Sequence, residues 1–196
     1  DALAEGKIAA FKGASEGSII RALKAFPNWD GLGAITEAAL ASDSCVAPGL
    51  LTGLALKSEE FFPALKFRKQ AIALYEKAVS CGTYQETNKA RYRVSLLNIW
   101  EGECPKAEPM LFDLSEEKSG DYVSRSLYWR GYCAKHTGNK LLFLAMRGRL
   151  NKEFPIAYHT LLINQLEGYR TGRGRPNPMD RILEKADVEV KFRSEK

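Results

Sequence analysis

The stretch that decides the fold runs from Leu127 to Gly168 and reads LYWRGYCAKHTG (127–138), NKLLFLAMRGRLNKEFP (139–155) and IAYHTLLINQLEG (156–168). Aromatic and small residues recur at helical spacing in the first part, and a Gly-Asn pair and a Phe-Pro pair interrupt the apolar pattern. We therefore predict three helices joined by short turns. Short helices bury their apolar faces only by packing on neighbours, so the stretch is typical of helical hairpins.

An echo of this stretch lies 36 residues upstream, because Tyr92 precedes Gly102 by the same interval that separates Tyr128 from Gly138. A period of this length is typical of helix–turn–helix repeats of the tetratricopeptide type. Each hairpin leaves an apolar face uncovered, so neighbouring hairpins must stack. The sequence therefore predicts an all-α fold, built as a curved superhelical array of stacked helical hairpins. A globin-like fold or a four-helix bundle is the alternative, and the echo favours the array.

The rest of the chain continues this pattern of short helices. Pro48 fits the first turn of one helix, Gly82 is placed to end another as a left-handed cap, Gly102 closes a third, and Asp121 is a candidate N-cap. Helical segments are predicted over residues 2–12, 15–26, 30–40, 48–56, 58–82, 84–101, 105–114, 122–137, 139–150 and 155–168.

The character of the chain changes after Gly168. Residues 1–168 are predicted to form the helical repeat domain, and residues 169–196 a basic, Gly/Pro-rich linker or tail. Residues 188–192 alternate between apolar and charged side chains as a strand does, but no partner strand is predicted for them.

Composition excludes several classes of protein. The chain has 196 residues, 45% hydrophobic and 27% charged, which is ordinary for a globular protein. No apolar run approaches the roughly 18 residues that a membrane-spanning helix needs. The net charge of +5 is spread among mixed acidic and basic residues. Because nucleic-acid binding needs basic residues clustered on one face, we predict no nucleic-acid partner.

The four cysteines, Cys45, Cys81, Cys104 and Cys133, contain no Cys-x-x-Cys pair, so a zinc site of the usual spacing is not predicted. Taken one at a time, each is interpreted as a buried free thiol on a helix. The repeat gives an alternative for two of them. Cys104 follows the first helix of one hairpin, and Cys133 lies near the end of the first helix of the next. Side-by-side stacking would bring these two sulfurs close enough for a disulfide in an oxidising compartment.

Candidate catalytic groups are few. Glu59-Glu60 and Glu116-Glu117 are adjacent carboxylates, but neighbouring residues on a helix point in different directions, so we interpret them as structural. His136 fits a helix C-terminus, and His159 is a lone histidine in an apolar helix. No phosphate loop, dinucleotide fingerprint or His-Glu-x-x-His motif is present. We therefore predict no catalytic residue, no metal site and no cofactor in this chain.

The aromatic residues between Tyr122 and Tyr169 are denser than elsewhere in the chain. Core packing is the prevailing interpretation for most of them. The alternative is a concave surface where aromatic and arginine side chains meet a glycan or a peptide. Its candidate residues are Tyr128, Trp129, Arg130 and Tyr158.

The sequence Leu-Tyr-Trp-Arg-Gly from Leu127, followed by Gly138, Phe-Pro at 154–155 and Tyr158 before a Leu-Leu pair, resembles a segment of soluble lytic transglycosylases. The match covers about 42 residues (127–168). In that family the segment belongs to a superhelical, U-type domain of stacked helices that precedes a lysozyme-like catalytic domain. A glutamate followed by serine performs catalysis in that domain, and no Glu-Ser dipeptide occurs here. No catalytic residue is therefore carried over.

The resemblance implies a periplasmic protein whose partner is peptidoglycan. It implies that the chain is the non-catalytic helical domain of an enzyme that cleaves cell-wall glycan to a 1,6-anhydro product. The alternative is a tetratricopeptide-like scaffold that binds a protein or peptide in its concave face. A third and weaker interpretation is a regulatory or immunity-type partner that kept only the helical domain.

Overall fold

The computed structural model describes residues 30–42, 45, 47–60, 65–118 and 120–168. Within these ranges the chain forms eight α-helices and no strand, which confirms the all-α fold class. The predicted helices over 2–12 and 15–26, and the predicted tail over 169–196, lie outside the described residues. The helices are α1 (Asp30–Ala41), α2 (Pro48–Glu59), α3 (Leu65–Cys81), α4 (Tyr84–Trp100), α5 (Cys104–Ser115), α6 (Val123–His136), α7 (Lys140–Glu153) and α8 (Tyr158–Gly168).

The chain divides into two compact units, Asp1–Leu97 and Asn98–Lys196, with the division inside α4. In the first unit, α2 and α3 pack closely and α1 packs against both. In the second unit, α6 is central, because α5, α7 and α8 all pack against it. The fully buried side chains of the α2–α3 core include Leu50, Leu51, Leu54, Leu74 and Tyr75.

Two helices start later than the sequence indicated. Helix α6 begins at Val123, with Tyr122 rather than Asp121 in the capping position and no side-chain hydrogen bond to the first turn. Helix α8 begins at Tyr158 rather than at Pro155, because the backbone of Ala157 first makes a turn by donating to the Phe154 carbonyl at 3.0 Å. Pro48 does occupy the first turn of α2, as predicted.

Gly82 is not the left-handed cap that the sequence predicted. Among the described residues, the glycines with positive φ are Gly102 and Gly138. A Cβ atom at position 82 would lie 2.5 Å from Cγ2 of Thr87 and 2.8 Å from Cγ of Pro48. Glycine is therefore required at this position by the close approach of the α3–α4 turn to the start of α2, and not by its backbone dihedral angle.

We expect Gly82→Ala to lower the free energy of unfolding by about 1–3 kcal/mol, because the added methyl must displace a proline ring and a β-branched side chain. The matched control is Gly33→Ala in α1, where a Cβ would meet nothing within 4 Å. That change should stabilise the helix by up to about 1 kcal/mol. Urea unfolding followed by circular dichroism measures both, and equal effects of the two substitutions would contradict the packing argument.

The turns after α4 and α6 have the same geometry, 36 residues apart. After α4, the Gly102 amide donates to the Ile99 carbonyl at 2.9 Å, and the next amide donates to the Asn98 carbonyl at 2.8 Å. After α6, Gly138 and the residue that follows it repeat both bonds, at 3.2 and 2.8 Å. Each pair is a Schellman motif, with the glycine at a φ near +80°.

These two turns give the predicted repeat a structural basis. Each ends one helix and allows a second to begin two residues after the glycine, so α4 connects to α5 and α6 connects to α7 through the same turn. After the second turn, Oδ1 of Asn139 also caps α7 by accepting a hydrogen bond from the Leu142 amide at 3.1 Å. The curvature of a superhelix built from such hairpins stays a prediction.

All four cysteines are paired, so the interpretation of each as a free thiol is wrong. Cys104 and Cys133 do come together as the stacking of hairpins predicted, with their Cα atoms 5.6 Å apart, and they join the start of α5 to α6. Cys45 and Cys81, a pair that the sequence did not indicate, join the segment before α2 to the end of α3. Disulfides persist mainly in oxidising compartments, so the two pairs indicate an extracytoplasmic protein.

Of the helices that the structure describes, none combines the length and the apolar character needed to cross a membrane.

Candidate binding surface on α6 and α8

Helix α6 is buried along most of its length, since every residue from Ser126 to Ala134 is buried. Arg125, Trp129, Tyr132 and His136 follow one another at helical spacings of four, three and four, so they lie on one face of α6. The burial of this helix follows from its central position in the second unit. The face that carries these four residues combines two aromatic side chains, one imidazole and one arginine.

Six rings from α6 and α8 form a continuous cluster. It consists of Tyr128, Trp129, Tyr132 and His136 on α6, and of Tyr158 and His159 on α8. We call this set the ring cluster.

Neighbouring rings in the cluster are in contact distance of one another. On α6, the centroids of Trp129 and Tyr132 lie 5.3 Å apart, and those of Tyr132 and His136 lie 4.1 Å apart. Between the helices, Tyr128 and His159 lie 5.9 Å apart, and His159 lies 5.8 Å from Tyr158 in an edge-on arrangement. Such geometries are favourable for aromatic pairs, so the cluster is a packed unit rather than a chance grouping.

Gly131 on α6 allows α8 to pack close to α6, so that the rings of the two helices meet. A Cβ atom at Gly131 would lie 2.6 Å from Cδ1 of Ile163 on α8 and 3.4 Å from Cβ of Met146 on α7. Both neighbouring helices therefore approach α6 closely at this point. This approach places the start of α8, with Tyr158 and His159, beside Tyr128.

Both ends of the ring cluster are open. Tyr158 is 64% exposed, and His136 is exposed at the other end. The middle of the cluster, made by Tyr128, Trp129 and Tyr132, is buried. The cluster therefore offers ligand contacts mainly through its two ends.

The exposed Arg125 lies three residues, about one helical turn, before Tyr128, the ring that contacts His159 on α8. Its guanidinium also lies 5.8 Å from the ring centroid of Tyr122. A cation therefore stands next to the rings at this end, which suits a ligand that combines an apolar face with a negative charge.

The four candidates from the sequence separate into three environments. Tyr128 and Trp129 belong to the buried part of the ring cluster, as the core-packing interpretation predicted for most aromatics. Tyr158 belongs to the exposed end. Arg130 is only 5% exposed and points to a different face of α6. Whether any of the four binds a ligand stays a prediction.

Arg130 is the centre of an ion-pair network between α5, α6 and α7. Its Nε donates to Oε1 of Glu108 at 2.9 Å, and its Nη1 donates to Oγ of Ser115 at 2.8 Å. Its guanidinium lies 4.8 Å from the ring centroid of Phe112. Arg149 on α7 completes the network by pairing with Glu116 at 2.5 Å and donating to the Ser115 carbonyl at 3.1 Å.

The network closes the C-terminal end of α5, whose last carbonyls lack partners within the helix. The hydrogen bond from Arg149, together with the charges of Arg149 and Arg130, holds the pKa of Glu116 below its usual value. Glu116, the first of the two adjacent carboxylates, therefore has a structural role, as the sequence indicated.

His159 is half-buried, and burial lowers its pKa below the usual value, with a further contribution from the positive charge of Arg125. Relative to the unfolded chain, folding therefore favours the neutral imidazole over the protonated form. In its neutral form a histidine packs as an aromatic side chain, donating a hydrogen bond at one nitrogen and accepting one at the other.

This lowered pKa gives a prediction with a defined sign. The unfolded chain binds a proton at His159 at higher pH than the folded chain does, so stability is complete above the unfolded pKa and is lost as the pH falls towards the folded pKa. In an NMR titration, we expect the His159 ring protons to titrate below the usual histidine pKa of about 6.5. Arg125→Gln should raise that pKa, and an unchanged pKa would contradict the assigned charge effect.

The described residues hold no group of three or more His, Cys, Asp or Glu that could bind a metal ion. The surface can bind a ligand by stacking of its ring faces and by the positive charge of Arg125. Among its described residues, no nucleophile is paired with a general base. Sequence reasoning did not single out Arg125, and it treated His159 alone. The signal for the α6 face was the spacing of four, three and four between Arg125, Trp129, Tyr132 and His136.

Comparisons with protein-family models, with curated protein sequences and with solved structures found no match to this chain.

Proposed function

We propose that this chain is a non-catalytic helical domain of a peptidoglycan lytic transglycosylase, and that its ring cluster contacts the cell-wall polymer. The order of elements in residues 127–168 supports the proposal. The Tyr-Trp-Arg helix is α6, a glycine turn follows at Gly138, α7 is the apolar helix, and the Phe-Pro break precedes α8. This is the order of the family segment that the sequence resembles.

The observation that carries the proposal is the open end of the ring cluster at Tyr158 and His159, with Arg125 beside it. Peptidoglycan presents sugar rings, which have apolar faces, and peptides, which carry carboxylates. An exposed tyrosine ring offers a flat apolar contact with a hydroxyl at its edge, and an arginine offers a fork of donors to a carboxylate. The surface therefore combines the two contacts that such a polymer needs.

The compartment is consistent with this substrate. The two disulfides indicate an extracytoplasmic protein, and we propose the periplasm as that location because peptidoglycan lies there. The catalytic glutamate of such an enzyme would lie in a domain outside these 196 residues.

Co-sedimentation with purified sacculi tests the proposal. We expect the protein to bind, and Tyr158→Ala to weaken binding by roughly tenfold, the loss of about 1.4 kcal/mol that one aromatic contact provides. The matched control is Ile156→Ala, which removes an even more exposed apolar side chain, 94% against 64%, just outside the cluster. Equal binding by both variants would contradict the assigned surface, and release of anhydro-muropeptides by this chain would contradict its non-catalytic role.

A second function is favoured by the paired Schellman turns, which give two helix-to-helix connections the same geometry 36 residues apart. We propose as the alternative a tetratricopeptide-like scaffold that binds a protein or peptide in its concave face. Selection from a peptide-display library distinguishes the two functions. Enrichment of peptides that Tyr158→Ala no longer binds, without sacculus binding, would favour the scaffold.

A further inference from the structure

One side of α7 combines exposed apolar and basic side chains. Leu141 is 83% exposed and Leu144 is 41% exposed, although apolar residues of α7 on its other side, Phe143, Met146 and Leu150, are buried. The exposed residues recur at spacings of three and four, so they share one side of the helix. We call this set the outer side of α7. It consists of Lys140, Leu141, Leu144, Ala145, Gly148 and Lys152, all exposed.

The charge around this surface has a single sign. Residues 122–152 contain seven lysines and arginines and no aspartate or glutamate. The seven are Arg125, Arg130, Lys135, Lys140, Arg147, Arg149 and Lys152. Two of them are directed towards α5, where Arg130 pairs with Glu108 and Arg149 pairs with Glu116. The charge of the segment therefore remains positive after these two ion pairs are formed.

The lysines of the outer side lie next to its most exposed leucine or in line with it. Lys140 immediately precedes Leu141 at the start of α7. Lys152 follows Leu141 by three helical turns and points in the same direction. Residues 136–141 are all exposed, so no element of the described chain covers the start of this surface. The outer side of α7 is therefore an open apolar strip with a cation at each end.

The area and the charge of this surface indicate its partner. A stable protein interface needs about 20–30 residues on each side, whereas the outer side of α7 has six exposed residues, of which Leu141 and Leu144 are the large apolar ones. A second copy of the chain would in addition bring two positive surfaces together. A lipid surface needs no such area, because apolar side chains enter it singly while anionic headgroups attract the lysines.

We propose that the outer side of α7 attaches the protein peripherally to an anionic lipid bilayer. The helix lies along the bilayer surface, with Leu141 and Leu144 at the boundary between headgroups and acyl chains. Lys140 and Lys152 contact the lipid phosphates. Both components contribute, so attachment weakens when the leucines are removed and when salt screens the lysines. The attachment does not depend on what the ring cluster binds.

Co-sedimentation of the full 196-residue chain with lipid vesicles tests the charge component. We expect binding to vesicles of phosphatidylcholine with phosphatidylglycerol to be at least about tenfold tighter than binding to phosphatidylcholine alone. Lys140→Glu should weaken the binding to anionic vesicles by about tenfold or more. The matched control is Lys106→Glu, which makes the same change of charge at an exposed residue of α5 and should leave binding unchanged. Equal losses in the two variants would overturn the assigned surface.

Removal of the leucines tests the apolar component in the same assay. Leu141→Ser/Leu144→Ser should weaken binding to anionic vesicles by roughly tenfold. Both leucines are exposed, so this variant should fold, and an unchanged circular dichroism spectrum verifies that it has. The matched control is Ile156→Ser, which removes a 94% exposed side chain outside α7 and should leave binding unchanged. Unchanged binding of the double variant would overturn the proposal, because charge alone would then hold the protein.

A fluorescent probe at the same position tests the depth of insertion. The fluorescence of Leu141→Trp, after subtraction of the parent spectrum, should shift to the blue with anionic vesicles and be quenched by brominated acyl chains. Ile156→Trp should show neither change. The indole introduced at position 141 should be open to acrylamide when no vesicles are present. Shielding from acrylamide without lipid would overturn the proposal, because another part of the chain or a second copy would then cover the outer side of α7.

Discussion

Replacing Cys104 and Cys133 together by serine is expected to lower the free energy of unfolding by about 3–4 kcal/mol. The bond closes a loop between positions 29 residues apart, and opening a loop of this length restores that much conformational entropy to the unfolded chain. The bond also holds the first residue of α5 against α6, the helix around which the second unit packs. Urea unfolding followed by tryptophan fluorescence reports this change, because Trp100 and Trp129 lie in the second unit.

Reduction provides the matched control for this prediction. Dithiothreitol should destabilise the parent by at least as much as the double substitution does, because it opens both disulfides. The Cys104→Ser/Cys133→Ser protein should lose only the further contribution of the Cys45–Cys81 bond. A loss below about 1 kcal/mol in the double variant would mean that the folded state does not contain this bond.

The second large effect is expected at Arg130. Arg130→Ala should cost about 2–4 kcal/mol, because a buried guanidinium that donates to Glu108 and Ser115 is removed together with its stacking over the Phe112 ring. The value falls below that of a fully buried ion pair, since Glu108 and Glu116 are partly exposed and regain water. Thermal or urea unfolding of the variant gives the measurement.

A comparison with Arg149 separates the effect of burial from the effect of charge on the stability lost when an arginine is removed. Arg149 has two carboxylate partners, Glu116 and Glu153, but its side chain is 30% exposed. We therefore expect Arg149→Ala to cost about 1 kcal/mol or less, and the cost to shrink further at high salt. Arg130→Lys should recover only part of the Arg130→Ala loss, because an ammonium lacks the planar fork that reaches both partners. Equal costs at the two arginines would show that burial does not set the strength of this network.

The glycines show what a sequence pattern can and cannot resolve. Gly102 and Gly138 were predicted as turn residues from their common interval to a tyrosine, and both have the positive φ that such turns require. Gly82 followed a helix in the same manner and was predicted to be left-handed as well. It is instead constrained by Pro48, which is distant in sequence and close only in the folded chain. A local sequence pattern predicts the backbone conformation that a residue adopts. It does not predict which residue, distant in sequence, packs against that position in the folded chain.

The cysteines and the ring cluster show the same limit. The repeat predicted Cys104 and Cys133 to be neighbours, because their separation follows from the hairpin geometry. The partner of Cys45 depends on how α2 packs on α3, which no repeat in the sequence marks. The density of aromatic residues along the sequence correctly located the region that forms the ring cluster. It did not show that Arg130, adjacent to Trp129, faces a different set of helices.

The sequence alone determined that this protein is all-α and that glycines at a 36-residue interval end two of its helices. These properties are set by neighbours a few residues apart, whose spacing is visible in the chain. The tertiary structure alone decided which aromatics are buried, that Arg125 and His159 share one end of the ring cluster, and that Arg130 is tied to α5. These depend on which face of each helix meets another helix, and that is fixed by the packing of the whole unit.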